Sequence, residues 1–558
     1  LHRHRYVRSV FGSAKGIIIA RLKGQGDIFE NIFDMGADMG GLSWTEAFMA
    51  QRCEDAAAKG SVHGAVCCED AAAPSEGDGT TSMSENADIR FGTDGWRAVI
   101  ADGFTYDRLR RVADATGRVF AAEHPGATIL VGYDTRFQAP AFAQAVAEVI
   151  ASHGLVVKLS DRYIPTPGVC WSIARDADAQ GGVILTASHN PASYLGLKIR
   201  MADGGASPVA FTDWVEAALR EEVPAPCGAD SAAGIETVDM VDPYLAQLAA
   251  SVDAEAIASA RLKILVDPLY GAARGYLADT LEGLGIEVSE IHGFANPGFG
   301  GLHPEPIPPH TGKAQARVGS GGFDAAFVTD GDADRIGAID ALGNFVDPHR
   351  IICLIARHLA EDRGAQGSIV KTVSTSVLVD RLGAHLGRKV ITTPIGFKWV
   401  YGQMLAGDVM IGGEESGGIG IPGHVRERDA LLMALLLAEM MGQRRKTLGE
   451  LVEELFEVTG RMEYSRHDMR LVPGADMDAL KRGLASLERS EVAGLPVLGR
   501  VTLDGVRFDL PDDAWLLLRA SGTEPLVRVY AEAPDTATVD ALIAVGCGLV
   551  DTLADQVE

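Results

Sequence analysis

The sequence reads as an α/β protein of doubly wound, mostly parallel sheets, followed by an α+β module at its C-terminal end. Three observations carry that reading. From about residue 88, short apolar runs of strand length alternate with stretches of helical pattern. Several of these runs stop at a polar or glycine-containing turn, the position where parallel sheets present ligand-binding loops. Near the C-terminus, strand-like runs stand close together in sequence, which favours an antiparallel sheet.

In chain order, residues 127–132 (Ala-Thr-Ile-Leu-Val-Gly) form a buried-strand run and 142–154 an Ala/Val-rich helix. Residues 182–186 are a second buried strand ending at a polar turn, and 262–267 and 325–329 repeat the theme. Beyond a hinge at Thr459-Gly460-Arg461, strands are expected at 501–510, 514–519 and 526–532, with helices at 477–487 and 536–553.

The chain has 558 residues, enough for three to five domains at roughly 100–200 residues each. Its net charge of -26 disfavours nucleic acid and anionic membrane surfaces as partners. It also repels phosphorylated ligands at long range, so a phosphate site has to be a local concentration of Arg, Lys and backbone N–H. No apolar run reads as approaching the roughly 20 residues that span a bilayer. The seven cysteines include no Cys-x-x-Cys pair, which suits reduced thiols in a cytoplasmic protein. Residues 1–87 differ in texture, with a basic start and a Gly/Ser/Thr/Asp-rich end. They read as an extension, disordered or not native: a targeting or regulatory segment, or, as preferred, sequence upstream of a true start at Met83. No catalytic role is expected of them.

Four stretches carry chemistry. Thr186-Ala187-Ser188-His189-Asn190-Pro191 follows a buried strand, so Ser188 projects beyond the sheet, and Lys198 can return to the same place. Ser188 lacks a Gly-x-Ser-x-Gly setting, and taken alone the turn is more often structural. Asp330-Gly331-Asp332-Ala333-Asp334-Arg335 follows another buried strand, and three carboxylates at alternate positions can converge on one hard cation. An EF-hand is excluded: its sixth position needs Gly and holds Arg335, and its twelfth needs Glu and holds Ala341. In Gly412-Gly413-Glu414-Glu415-Ser416-Gly417-Gly418 the glycines permit close backbone approach, and Glu414 and Ser416 share a side suited to sugar hydroxyls; Arg426 and Arg428 follow. The bland alternative is a flexible turn. Arg519-Ala520-Ser521-Gly522-Thr523-Glu524-Pro525, with Arg528 beyond, links two strands and can form an anion nest between two arginines. Gly92-Thr93-Asp94-Gly95-Trp96-Arg97 and Lys398 are weaker signals: a first turn with a surface Arg, and a lone Lys after a turn.

In this order the four stretches resemble those of the α-D-phosphohexomutase family, which includes phosphoglucomutases and phosphomannomutases. The resemblance covers about residues 88–558. It implies three related α/β domains, at 88–242, 243–345 and 346–458, and a mobile α+β domain at 459–558, around a central cleft. By the same resemblance Ser188 matches the phosphoserine. Asp330, Asp332 and Asp334 match ligands of Mg²⁺, with Ser188 supplying a further ligand through its phosphate. Glu414 and Ser416 match the sugar-hydroxyl site, with Lys398 and Arg428 beside it; some relatives carry Lys where Arg428 stands. Arg519, Ser521, Gly522, Thr523 and Arg528 match the distal phosphate site. Arg97, His189, Lys198 and Arg335 match reaction-centre residues, His189 and Lys198 being the acid/base candidates.

The activity this implies is interconversion of hexose 1-phosphate and hexose 6-phosphate through phosphoserine and a hexose 1,6-bisphosphate, in a monomer or homodimer acting on small sugar phosphates. The sugar loop resembles phosphoglucomutase-like members, so glucose phosphates are favoured. The alternative is a phosphomannomutase or a dual-specificity enzyme. Two rivals remain: a phosphotransferase that forms an aspartyl phosphate in the Asp330–Asp334 loop, and a sugar-phosphate sensor without catalysis.

Overall fold

The computed structural model describes residues 89–92, 94–224, 234–472, 476–521 and 526–557, all within the second of two units, Ser82–Glu558. The expectation for residues 1–87 lies outside them, as do Gly522 and Thr523 of the phosphate loop.

Three sheets share one plan. The first has the parallel strands Thr128–Tyr133, Val156–Ser160 and Ala179–Leu185, then an antiparallel return strand Tyr194–Met201 beside the third. Trp96–Val99 and Ile235–Val238 extend it at its two edges. The second has Lys263–Asp267, Glu287–Glu290 and Ala325–Thr329, with Ile336–Asp340 returning antiparallel beside the third. In the third, Ser368–Thr372, Val390–Thr393 and Val409–Gly413 are parallel and Ile419–Gly420 returns. Central strands such as Thr128–Tyr133, Ala325–Thr329 and Ser368–Thr372 are buried throughout, as helix-covered parallel strands must be.

The shared plan has a functional consequence. The serine loop, the aspartate loop and the Glu414 loop each occupy the same place, between the third parallel strand and its return strand. Helix Ala430–Arg444 is buried from Ala430 through Gly442 and lies in the largest apolar core. Asp429 caps it, accepting from the Leu432 N–H at 3.0 Å.

The C-terminal module is a five-stranded antiparallel sheet. The strand expected across 501–510 is instead a hairpin, Gly499–Val501 against Val506–Asp509. Gly505, at φ 80°, makes the turn. Strand Glu463–Arg470, not expected, pairs with Leu526–Ala533; its residues are too polar for an apolar-run reading. Among the described residues, Thr536–Asp555 is long and apolar enough to cross a membrane by length and composition, which corrects the expectation of no such run. Its helix rests on the sheet: Val539, Leu542 and Val550 share a core with Leu516, Leu518, Val527 and Val529.

Candidate active site

Ser188 sits at a left-handed φ of 50°, nearly fully buried. An L-residue held there costs on the order of 1 kcal/mol, so its surroundings must fix it. They do: the Ser188 N–H donates to Thr186 Oγ1 at 2.8 Å. The buried guanidinium of Arg136 donates to the carbonyls of Ser188 and Asn190 at 2.6 Å each, of Pro191 at 2.7 Å and of Tyr194 at 3.0 Å. Arg97 donates to Asn190 Oδ1 at 2.7 Å. Ser188 Oγ donates to Asp330 Oδ2 at 3.0 Å and lies 3.3 Å from His189 Nδ1.

The serine and aspartate loops meet at Gly331, where a Cβ would come within 2.4 Å of the Ser188 carbonyl oxygen. The start of the return strand after the aspartate loop in turn meets the Glu414 loop at Gly417, at φ 94°, whose Cβ would meet Ile336 O at 2.6 Å. No side chain fits at either crossing.

Asp330, Asp332 and Asp334 are fully buried, and each offers an oxygen within 4.8 Å of the others'. Asp330 Oδ1 accepts the N–H groups of Asp334 and Arg335 at 3.0 and 3.1 Å. Asp332 Oδ2 accepts from Thr166 Oγ1 at 2.7 Å and Lys198 Nζ at 2.8 Å. Asp334 Oδ2 lies 3.1 Å from Lys198 Nζ and 2.7 Å from Arg428 Nη2. Asp332 Oδ1 and Asp334 Oδ1 are buried without a hydrogen-bond partner. Orphaned anionic oxygens are costly in a protein interior, and three convergent carboxylates fit a hard divalent cation. Burial, then the charges of Asp332 and Asp334, push Asp330 well above the usual carboxylate range. Burial would raise Asp332 too, but Lys198 and Thr166 hold it far below. Burial would lower Lys198, yet Asp332, Asp334 and Asp94 keep it above the ordinary lysine value. Burial and the cations Arg335, Arg97, Arg528 and Arg466 hold His189 well below the usual histidine value, hence neutral.

Glu414 is buried, accepting the Gly396 N–H at 3.0 Å with Arg428 Nη1 at 3.7 Å. Burial raises it to about 7, against the pull of Arg428. Glu415 turns the other way, accepting from Ser374 Oγ at 2.7 Å. Ser416 is half-buried in the same loop. Arg428 is not peripheral: it reaches Asp94, Asp334 and Glu427. Arg426 instead pairs with Asp203 at 3.4 Å. Lys398 is half-buried, its ammonium over the Trp399 ring at 5.5 Å rather than in the aspartate cluster.

In the C-terminal sheet Arg519 stands directly opposite Arg528. Arg519 Nε donates to Asp504 Oδ2 at 2.9 Å, and the Ile395 N–H donates to the same oxygen at 3.0 Å. Ser521 is buried, its N–H donating to Leu526 O at 2.8 Å. Arg335 lies 4.0 Å from Glu305 and 3.8 Å from Asp334.

Three residues escaped sequence reading. Arg136 and Thr166 carry no motif. Asp94 lay in a stretch read as a first turn, yet its carboxylate joins Lys198, Arg200 and Arg428, each at 2.9 Å.

Comparison with known proteins agrees with the fold. Residues 88–225, 242–343 and 347–459 match the models of phosphoglucomutase/phosphomannomutase alpha/beta/alpha domains I, II and III, and 479–545 the model of its C-terminal domain. A phosphoglucosamine mutase of Frankia alni is 32% identical over 79% of this chain and 94% of its own. A phosphoglucomutase/phosphomannomutase of Thermococcus kodakarensis is 29% identical over 83% of this chain and 98% of its own. A crystal structure from Thermus thermophilus, of a protein proposed to be a phosphomannomutase, superposes with a TM-score of 0.74 at 39% identity. It covers 83% of this chain and 99% of that one.

Proposed function

Because the chain belongs to the phosphoglucomutase/phosphomannomutase family, and so is a phosphohexomutase-type isomerase, we propose that it interconverts hexose 1- and 6-phosphates through a phosphorylated Ser188. One observation carries the reading most directly: a buried serine hydroxyl 3.0 Å from an aspartate of a three-carboxylate cluster. In the first half-reaction the P–Oγ bond of phosphoserine 188 breaks as a bond forms from phosphorus to the free sugar hydroxyl, giving a hexose 1,6-bisphosphate. That molecule turns over in the site and returns its other phosphoryl group to Ser188.

Such a transfer is served by positioning and charge stabilisation more than by covalent chemistry. Asp330, Asp332, Asp334 and Ser188 would hold Mg²⁺, which when bound neutralises phosphoryl oxygens. His189, neutral and beside Ser188 Oγ, is the group ready to take the hydroxyl proton; Lys198, held protonated, supplies positive charge or a proton. Arg97 and Arg335 flank the reacting phosphate. Glu414 and Ser416 take sugar hydroxyls, with Arg428 and Lys398 at that end. Arg519, Ser521, Gly522, Thr523 and Arg528 grip the phosphate that is not reacting. Burial of the serine limits attack by water on its phosphate.

For the sugar, the Glu-Glu-Ser loop supports glucose phosphates. The relatives' names support the broader reading better, a phosphomannomutase or dual-specificity enzyme. A coupled assay on glucose, mannose and glucosamine 1-phosphates, with and without Mg²⁺, separates them. Ser188→Ala is expected to abolish turnover even with bisphosphate present; full activity in that variant refutes the phosphoserine route. Hydroxylamine-sensitive phosphate on the enzyme would point to an aspartyl phosphate instead.

A further inference from the structure

The C-terminal sheet offers one arginine that no motif marked. Across strands Glu463–Arg470 and Leu526–Ala533, Asp468 stands opposite Arg528 and Arg466 opposite Tyr530. Across the next pair, Arg528 stands opposite Arg519 and Tyr530 opposite Leu517. Directly opposed residues, and residues two apart on a strand, share a face. Arg466, Asp468, Arg528 and Arg519 therefore lie on one face. Its other residues, Trp515, Leu517 and Tyr530, pack into the large core that includes helix Ala430–Arg444. The opposite face, with Leu516, Leu518, Val527 and Val529, is covered by the helices Met477–Ser486 and Thr536–Val557.

Asp468 aligns the arginines. Arg466 Nε lies 3.0 Å from Asp468 Oδ1, and Arg528 Nε 3.5 Å from Asp468 Oδ2. One carboxylate thus meets the Nε side of both guanidinium groups. Arg466 also reaches toward the reaction centre: its Nη2 is 4.0 Å from Glu305 Oε1, and that same oxygen is 4.0 Å from Arg335 Nη1. Side-chain exposures of 24% for Arg466 and 23% for Arg528 leave both accessible to a ligand.

We propose that Arg466 is a third arginine of the site for the non-reacting phosphate, set beside Arg528 by Asp468 and placed between Arg528 and the Arg335 end of the reaction centre. The proposal rests on the phosphohexomutase reading. Its chemistry is general: a phosphate dianion has more acceptor positions than two arginines fill, and a third guanidinium grips it in either orientation of the sugar.

The test uses the full chain with Arg466→Gln, Arg466→Lys and Asp468→Asn. In coupled kinetics with glucose and mannose 1-phosphates, Arg466→Gln should raise KM about 10- to 100-fold for both sugars, the scale of one lost charge-assisted contact, with a smaller change in kcat. Arg466→Lys should recover part of the loss, and Asp468→Asn should raise KM by a smaller factor. Inorganic phosphate provides a readout independent of turnover. It should raise the unfolding temperature of the parent protein and do so much less for Arg466→Gln, which a merely structural role would not produce. Unchanged KM together with an unchanged phosphate-induced shift overturns the proposal. If the parent protein turned over no hexose phosphate, the phosphohexomutase reading would fall, while loss of the phosphate-induced shift in Arg466→Gln would still locate an anion site at Arg466.

Discussion

Replacing Arg136 by Met should uncouple the serine from the site while leaving the aspartate cluster in place. Arg136 is 2% exposed, and its guanidinium serves four carbonyls of the 188–194 segment and faces Asp134, with Nε 3.2 Å from Oδ2. Met keeps the stem's volume and removes every donor. Breaking a buried ion pair by deleting one partner costs about 3–5 kcal/mol. Four carbonyls lose partners as well, at about 1–3 kcal/mol for each that water cannot reach. A floor of about 4 kcal/mol corresponds to a fall of roughly 4 °C in the unfolding temperature of a unit this size. Asp134 adds a pH signature. Burial already raises it to about 6, against the pull of Arg136. A folded carboxyl raised above its unfolded value loses stability as pH climbs from the ordinary value through the folded one. With the cation gone the folded value rises further, so the variant's deficit should be larger at about pH 8 than at about pH 5. Arg136→Met/Asp134→Asn should regain part of it. For activity, a misplaced nucleophile of about 1 Å is worth roughly 100-fold in kcat. The measurements are thermal unfolding at the two pH values and coupled mutase kinetics. A variant that keeps parental kcat and unfolds within about 1 °C of the parent, well short of the fall expected for this loss, would refute this account of the serine loop.

Two further outcomes follow from the site. Glu414, raised to about 7 by burial, should be ionised and able to accept sugar hydroxyls only above that value, so kcat/KM should rise with pH through neutrality. Glu414→Gln should lose that rise while keeping any limb due to the substrate phosphate; identical profiles for both proteins would remove Glu414 from the role. Chelation should abolish activity and Mg²⁺ restore it, whereas Asp332→Asn, which removes charge from a ligand that also holds Lys198 and Thr166, should weaken Mg²⁺ activation at least about tenfold. Parental Mg²⁺ dependence in Asp332→Asn would exclude that aspartate as a ligand.

The sequence alone placed several strands of the parallel sheets and the loops that follow them. Ala325–Thr329 was bounded correctly because four apolar residues and a β-branched Thr before Asp-Gly-Asp leave little alternative, and Asp330, Asp332 and Asp334 converge because they lie within five residues of backbone. Arg519 and Arg528 were expected to be neighbours for the same reason: a short connection between two strands fixes their register. Tertiary structure decided the rest. Asp94 meets Arg428 across 334 residues, Thr166 meets Asp332 across 166, and Arg136 reaches the serine loop across more than 50. Lone polar residues at such separations carry no periodicity and no spacing, so only the packing of sheets against one another assigns them partners. The same packing gave Lys198 and His189 opposite protonation. Burial disfavours charge on both, but three carboxylates face the lysine and four cations surround the histidine.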